Sequence, residues 1–398
     1  MDGQWTNQDV KRANRSRVFR YFCEAGTSSL PEAARALGMS LPTVTQNVKA
    51  LTESGLLQAG GALDSTGGRR AKAFCLCARA HLSVGLSVTA GHLGGVLLDL
   101  QGQVLHTKRE RLPFAPGEAY ARAAAAFLDA FLKEAGAAGA PYGLGIALPG
   151  ILDRTRGLLT RSHALGLRDV PLSALTAPFA QPCLLLNDAN AGAFAEASGG
   201  GLPARFFYLS LSATVGGALV ENGALVEGTS FRCGEIGHMT IYPDGKPCYC
   251  GKAGCLDAYC AAKALSKKRP LAEFFAALQK GSAPEKKKWR SYVEALSIGV
   301  HNLQMLLDCP VVFGGEVGAY LPPFLPEIRA QVAARDPFAD PAPLLNCRYT
   351  KEAAALGAAL AERAKKDATH EHLYSTVLGL LNVEGKTYRK AFDLTEGD

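Results

Sequence analysis

Two stretches of this chain follow one plan, and that repeat limits what the chain can become. Residues 82–112 read "LSVGLSVTAGHLGGVLLDLQGQVLHTKRERL": an apolar run, a glycine-bearing turn, a second run, a turn at Gln101-Gly102, and a third run. Residues 204–228, "ARFFYLSLSATVGGALVENGALVEG", begin the same plan again, with the second turn at Asn222-Gly223, a strong hairpin signal. After the first copy comes an Ala-rich helix pattern, "AYARAAAAFLDAFLKEAG". A strand "YGLGIALPGIL" follows, and then "PCLLLNDANAGAFAEA", a strand that turns through a polar corner into a helix. "PVVFGGEVGAY" is a buried strand entering a Gly-Gly turn. Strands alternating with helices predict an α/β architecture, and the repeat predicts two related halves around a cleft. The basic segment "KKRPLAEFFAALQKGSAPEKKKWR" is expected to be a solvated excursion rather than a nucleic-acid site.

The 398 residues, 48% hydrophobic, suffice for two or three domains. No leader-like segment and no bilayer-length apolar run is evident, so the expectation is a soluble cytoplasmic protein without membrane contact. The odd count of 11 cysteines then favours thiols or metal ligands over a disulfide framework.

Charge separates the first 80 residues from the rest. They carry 11 Lys and Arg against six acids, a surplus of five out of +7 for the whole chain. A basic end module suits a polyanion, although a solvated surface would look the same by charge alone. Pattern is more decisive. "LPEAARALGMS" places Pro31 in a first helical turn and Gly38 at the helix end. Ser40 then stands as N-cap of "LPTVTQNVKALTESG". Val44, Val48 and Leu51 form one buried stripe. Thr43, Thr45, Gln46 and Lys49 stay on other faces and can reach bases and phosphates. Two helices across a short Gly-containing turn predict a helix-turn-helix. An earlier helix supplies inward-facing Val18, Phe19 and Phe22. The segment "LLQAGGALDSTGGRRAKAFCL" predicts a β-hairpin wing with Arg69 and Arg70 at its tip.

"HMTIYPDGKPCYCGKAGC" contains His238, Cys248, Cys250 and Cys255, spaced H-x9-C-x-C-x4-C. Four N/S ligands suit zinc, and four protein ligands close its shell, the mark of a structural site. Gly245, Gly251 and Gly254 allow a tight wrap. Three reduced thiols and a core histidine are the other reading. In "LLLNDAN", Asn187 and Asp188 emerge at the end of an apolar strand, where polar groups face a cleft. They could grip vicinal hydroxyls or simply cap the next helix.

Together "STGGRR", "LPGIL", "NDANAGAFAE", "GEIGHM" and "CYCGKAGCLD" resemble the ROK family of repressors, open reading frames and kinases, over roughly residues 7–360 and most closely its repressor branch. The resemblance implies a winged helix-turn-helix over 1–78 and a two-lobed, actin-like ATPase fold over 79–363. An extension of unassigned role follows over 364–398. It also implies a homodimer or homotetramer, an operator DNA partner, and a sugar or phosphosugar effector. In the family the metal is zinc. Carried over, the sugar-binding positions are Gly150, Asn187, Asp188, Glu235, His238 and Asp257. Asp188 is the position of the kinase base, and Asp257 stands where the family usually has Glu. Family kinases have a D-x-G-G-T-type turn where this chain has "SVTAG", and G-T-G where it has Ser212-Ala213-Thr214. A Cβ at such positions crowds the approach of a phosphate. The expectation is therefore a sugar-responsive regulator without catalytic residues, with an ATP-dependent sugar kinase as the alternative.

Overall fold

A computed structural model describes residues 7–62, 72–137, 141, 143–267, 269–338, 340–350 and 352–365. The head comprises α1 (Asn7–Ala25), β1 (Thr27–Ser29), α2 (Leu30–Leu37), α3 (Leu41–Glu53), β2 (Leu57–Ala62) and β3 (Lys72–Leu76). Ser29 caps α2 in a reciprocal pairing with Glu32, and Gly38 ends that helix at φ 61°. The Ser40 hydroxyl accepts the Thr43 N–H and starts α3. Val18, Phe19, Phe22, Val44, Val48 and Leu51 fill the core. β2 and β3 pair antiparallel as the expected wing, with β1 on the other edge of β3. The tip bearing Arg69 and Arg70 lies outside the described residues.

The first lobe contains β4 (Ser83–Val88), β5 (His92–Leu98), β6 (Val104–Arg111), α4 (Glu118–Glu134), β7 (Gly143–Leu148), β8 (Ile151–Asp153), β9 (Leu158–Ser162), β10 (Leu167–Pro171), α5 (Leu172–Thr176), β11 (Cys183–Asn187) and α6 (Asp188–Ser198). The second contains β12 (Arg205–Leu211), β13 (Val215–Glu221), β14 (Ala224–Val226), α7 (Asp257–Cys260), α8 (Ala262–Leu265), α9 (Leu271–Gln279), α10 (Ala283–Leu307), β15 (Val311–Gly314), α11 (Gly315–Gly318), α12 (Leu325–Ala333) and β16 (Leu344–Asn346). Finally α13 (Ala353–Lys365) returns to the first lobe and covers β4 and β7.

The predicted repeat is reproduced strand for strand. In the sheet β11-β7-β4-β5-β6, an antiparallel meander extends on one side of β4 and parallel strands on the other. The sheet β14-β13-β12-β15-β16 has the same arrangement about β12. The small sheet β10-β9-β8 was not expected. Its short strands carry Arg161, Arg168 and Asp169, so no apolar alternation marks them.

One expectation is corrected. The basic segment over 267–290 is no excursion. Phe274, Phe275, Leu278 and Trp289 are buried in the second-lobe core, while Lys286, Lys287 and Lys288 lie on the outer face of α10. The lysine count masks an amphipathic helix pair, because apolar spacing decides burial and charge does not. The segment from 366 onward is outside the described residues. Among those described, no helix is long and apolar enough to cross a membrane.

Two contacts tie the parts together. Leu100, in the β5–β6 turn, is buried in the head's core, and its N–H donates to the Ala78 carbonyl. α6 lies against α13 on one side and against β12 and β13 of the second lobe on another. At its crossing with α13, a Cβ on Gly357 would overlap the Ala191 carbonyl oxygen. Gly357→Val is therefore expected to destabilise the protein by about 3 kcal/mol or more, measured by denaturant unfolding, because this contact has no room to repack.

Candidate functional site

The polar corner after β11 is built by backbone capping. Asn187 is the N-cap of α6: its Oδ1 accepts the N–H groups of Ala189 (2.9 Å) and Asn190 (3.1 Å). Its Nδ2 donates to the Gly150 carbonyl at 3.0 Å. Capping thus occupies the amide oxygen but leaves one of the two amide hydrogens for another partner. Gly150 adopts φ 138°, and a Cβ there would lie 2.8 Å from the Arg161 carbonyl oxygen. The turn can pass under the 161–162 strand end only as glycine.

Gly150, Asn187 and Asn190 of the first lobe share a small cavity with Gly216, Glu227 and Glu235 of the second. Arg154 and Glu227 pair across it at 3.1 Å. Asp188 opens α6 beside this cavity. Burial lifts its carboxyl above the ordinary range. Burial also lifts Glu235, and the neighbouring Asp188 charge adds to the effect. Two carboxylates thus converge at one corner, Asp188 half-buried and Glu235 more open, an arrangement that favours a ligand able to donate hydrogen bonds to them.

Glu235 leads into a 3-10 turn, Ile236–His238. The ligating atoms of His238, Cys248, Cys250 and Cys255 all lie within 4.8 Å of one another. Cys248 Sγ is 3.8 Å from His238 Nδ1, and Cys250 Sγ is 3.7 Å from Cys255 Sγ. Ligands bound tetrahedrally at about 2.0–2.3 Å are spaced about 3.3–3.8 Å apart, so these residues can hold a metal with little movement. Backbone hydrogen bonds brace the loop: Cys248 N–H to Lys252 O at 2.7 Å, and Gly254 N–H to Lys246 O at 2.8 Å. No disulfide joins any of the 11 cysteines. Burial raises the Cys248 and Cys255 thiols, the latter to about 12, so a stable thiolate pair here needs a cation.

Asp257 sits differently from the other expected ligand-binding residues. Its side chain is 0% exposed. Its Oδ2 accepts the Val215 N–H at 2.7 Å and a long bond from the Tyr249 hydroxyl at 3.4 Å. Lys263 Nζ stands 3.9 Å from Oδ1. Two residues not singled out in the sequence also belong to this end. The rings of Tyr249 and His163 lie 5.4 and 5.7 Å from the His238 ring. His163 comes from the first lobe, between β9 and β10; as an isolated histidine in an irregular segment, it carries no sequence signal.

On another part of the interlobe surface, Ser212 Oγ accepts the Glu316 N–H at 3.2 Å. Arg109 of β6 pairs with Glu316 of α11 at 2.9 Å and with Glu352 at 3.6 Å. Thr89 closes the β4–β5 turn with two bonds to the His92 backbone. On the head, Ser40, Thr45, Gln46 and Lys49 are exposed along α3 and Thr43 is half-buried. An apolar cavity of about 560 Å³ lies between α4 and the first-lobe sheet. Leu93, Phe114, Leu148 and Phe179 make its wall apolar. The Tyr120 hydroxyl, pushed up to about 12 by burial, has no hydrogen-bond partner there. That wall offers a polyol almost nothing.

The fold has relatives among known proteins. Residues 83–364 match the ROK family and residues 13–58 a helix-turn-helix domain. The chain belongs to the ROK family, with an N-terminal helix-turn-helix and the actin-like two-lobed fold. It is 29% identical over 264 residues to the xylose repressor of Bacillus subtilis (strain 168), covering 65% of this chain and 68% of that one. It is 26% identical over 266 residues to the transcriptional dual regulator NagC of Escherichia coli K12, covering 65% of each. Among solved structures, a ROK family transcriptional regulator, a homologue of the E. coli MLC protein, superposes with TM-score 0.69 at 19% identity. That superposition covers 95% of this chain and 100% of the other. A ROK hexokinase from Thermus thermophilus superposes with TM-score 0.58 at 29% identity, covering 71% and 97%.

Cys250→Ser should lower bound metal from one equivalent per chain to near zero by elemental analysis, together with a lower melting temperature. Asp188→Asn should raise the melting temperature at neutral pH. The folded carboxyl titrates above its unfolded value, so stability falls as pH rises through that interval. The neutral amide removes the loss, and the gain should vanish below the unfolded carboxyl value.

Proposed function

We propose that this protein is a transcriptional repressor whose grip on operator DNA responds to a neutral monosaccharide bound between the lobes. The observation that carries this reading is the union, in one chain, of a helix α3 with an exposed polar face and an interlobe corner of amide and carboxylate groups. The relatives named as xylose repressor and NagC support it. Gly150, Asn187, Asp188, Glu235 and His238 would meet the sugar, with Asp257 behind them. Asp188 and Glu235 face the cleft, while Arg154 is already paired with Glu227. This charge balance favours an uncharged sugar over a phosphosugar. Zinc at His238, Cys248, Cys250 and Cys255 would supply a closed, structural site that orients the turn carrying Glu235.

In this reading α3 enters the major groove through Ser40, Thr43, Thr45, Gln46 and Lys49, and Arg69 and Arg70 of the wing reach the backbone or minor groove. Sugar-driven closure moves the first lobe, and Leu100 passes that movement to the head. In a homodimer or homotetramer this changes the spacing of two heads and hence operator affinity. Leu306 and Phe338, 74% and 76% exposed on the second lobe, offer apolar surface for a second copy.

A sugar kinase is the second reading, favoured by Asp188 and the likeness to the Thermus hexokinase. Against it, the Glu316 N–H is engaged by Ser212, and Arg109 bridges the lobes beside it. Those groups serve each other where a nucleotide would need free amides and cations. Sustained ADP release with any hexose or amino sugar would establish the kinase instead.

For the regulator, a mobility shift on the upstream region of its own gene should show binding that weakens steeply with salt. Lys49→Ala should reduce the log–log salt slope by about one, and Gln46→Ala should relax specificity. No shifted band at low salt would refute the assignment. Asp188→Asn should weaken sugar binding about 10- to 100-fold by calorimetry, the loss expected for a hydrogen bond to a charged group.

A further inference from the structure

The sugar reading leaves an unresolved geometry at the Asp257 end of the cleft. Asp257 begins α7 and is wholly buried. Its Oδ2 is held inward by the Val215 N–H at 2.7 Å. Turning that carboxylate toward a ligand would strand a buried backbone donor, a loss of about 1–3 kcal/mol. Tyr249 stands in front of it. Between metal ligands Cys248 and Cys250, it keeps 41% of its surface exposed, and its hydroxyl reaches back to Asp257 Oδ2 at 3.4 Å. Lys263 Nζ lies 5.3 Å from its ring centroid, on the same side as Asp257.

The Tyr249 ring is also one corner of a triangle. Its centroid lies 5.4 Å from His238 and 5.5 Å from His163, and the two histidines are 5.7 Å apart. None of these pairs is stacked. Their interplanar angles are 59° to 73°, so ring edges meet faces. His163 belongs to the first lobe; Tyr249 and His238 belong to the second. The triangle therefore spans the cleft, and the metal loop fixes the backbone on both sides of Tyr249.

We propose that Tyr249 is a specificity-determining residue of the sugar site. Its phenol hydroxyl meets a sugar hydroxyl in place of the withdrawn Asp257 carboxylate. Its ring, backed by His163, forms the wall that limits substituents at that carbon. Asp257 is then a positioning residue: it accepts the phenol's hydrogen and orients the hydroxyl's lone pairs toward the ligand. The chemistry selected is an unsubstituted hydroxyl able to donate to a neutral oxygen. This inference rests on the sugar reading above.

The test uses the full-length, metal-loaded protein and calorimetric titration with xylose, glucose and N-acetylglucosamine, followed by the monodeoxy forms of whichever binds most tightly. Tyr249→Phe retains the ring and removes only the hydroxyl. It should weaken the tightest sugar about tenfold, with metal content and melting temperature unchanged. One monodeoxy sugar should bind wild type and Tyr249→Phe equally, identifying the hydroxyl that meets the phenol. Equal affinity of both proteins for every sugar would overturn the inference while leaving the sugar reading intact. Loss of metal or a lower melting temperature in Tyr249→Phe would also overturn it, in favour of a structural role. If wild type binds none of the sugars, both readings fall.

Discussion

The close packing of α6 is the constraint on which this molecule turns. Its sequence, "DANAGAFAEAS", offers small side chains on nearly every face, and Ala189, Ala191, Ala193 and Ala195 are almost or completely buried. Neighbouring backbones therefore approach it from several directions: α13 and β11 on the first-lobe side, β12, β13 and β14 on the second. Its one long buried acid, Glu196, accepts the N–H groups of Arg348 and Tyr349 at 2.9 and 2.8 Å, tying the chain after β16 to the helix. A helix this tightly held cannot shift alone. Its N-terminus, with Asn187 and Asp188, is thereby fixed where the two lobes meet.

That coupling gives the cleft its meaning. The first lobe contributes Gly150, Asn187 and His163, and the second contributes Glu235, His238 and Tyr249. In the proposed reading, a sugar bound between them would contact both lobes at once, which is what a ligand-driven shift between lobe arrangements requires. The route to the head is equally physical: Leu100 is a residue of the first lobe buried in the core of the DNA-binding head. The carboxyls of Asp188 and Glu235 are held above their ordinary range by burial, a cost typical of groups kept for function rather than for folding.

Much of the fold was legible because it rests on local periodicity. The two meanders, the stripe of α3, the Gly38 break and the wing strands all follow from apolar spacing and turn chemistry, and each forms as expected. The misreading of residues 267–290 has the same origin. A dense run of lysines lies on the outer face of a segment whose Phe274, Phe275, Leu278 and Trp289 are spaced to point inward. The β8–β10 sheet was invisible because short, charged strands carry no period.

The candidate site divides along the same line. Residues adjacent in sequence, Asn187-Asp188 and the His238–Cys255 loop, announce themselves because their chemistry needs fixed local spacing. The sequence by itself determined the cluster of His238, Cys248, Cys250 and Cys255, the capping corner and the helix-turn-helix. Only the tertiary structure decided what these groups face. It withdrew Asp257 behind Tyr249, brought His163 across from the other lobe, and set Arg109 between Glu316 and Glu352. Those outcomes depend on the packing of two lobes through α6 and α13, which residues far apart in the chain determine together and no local pattern encodes.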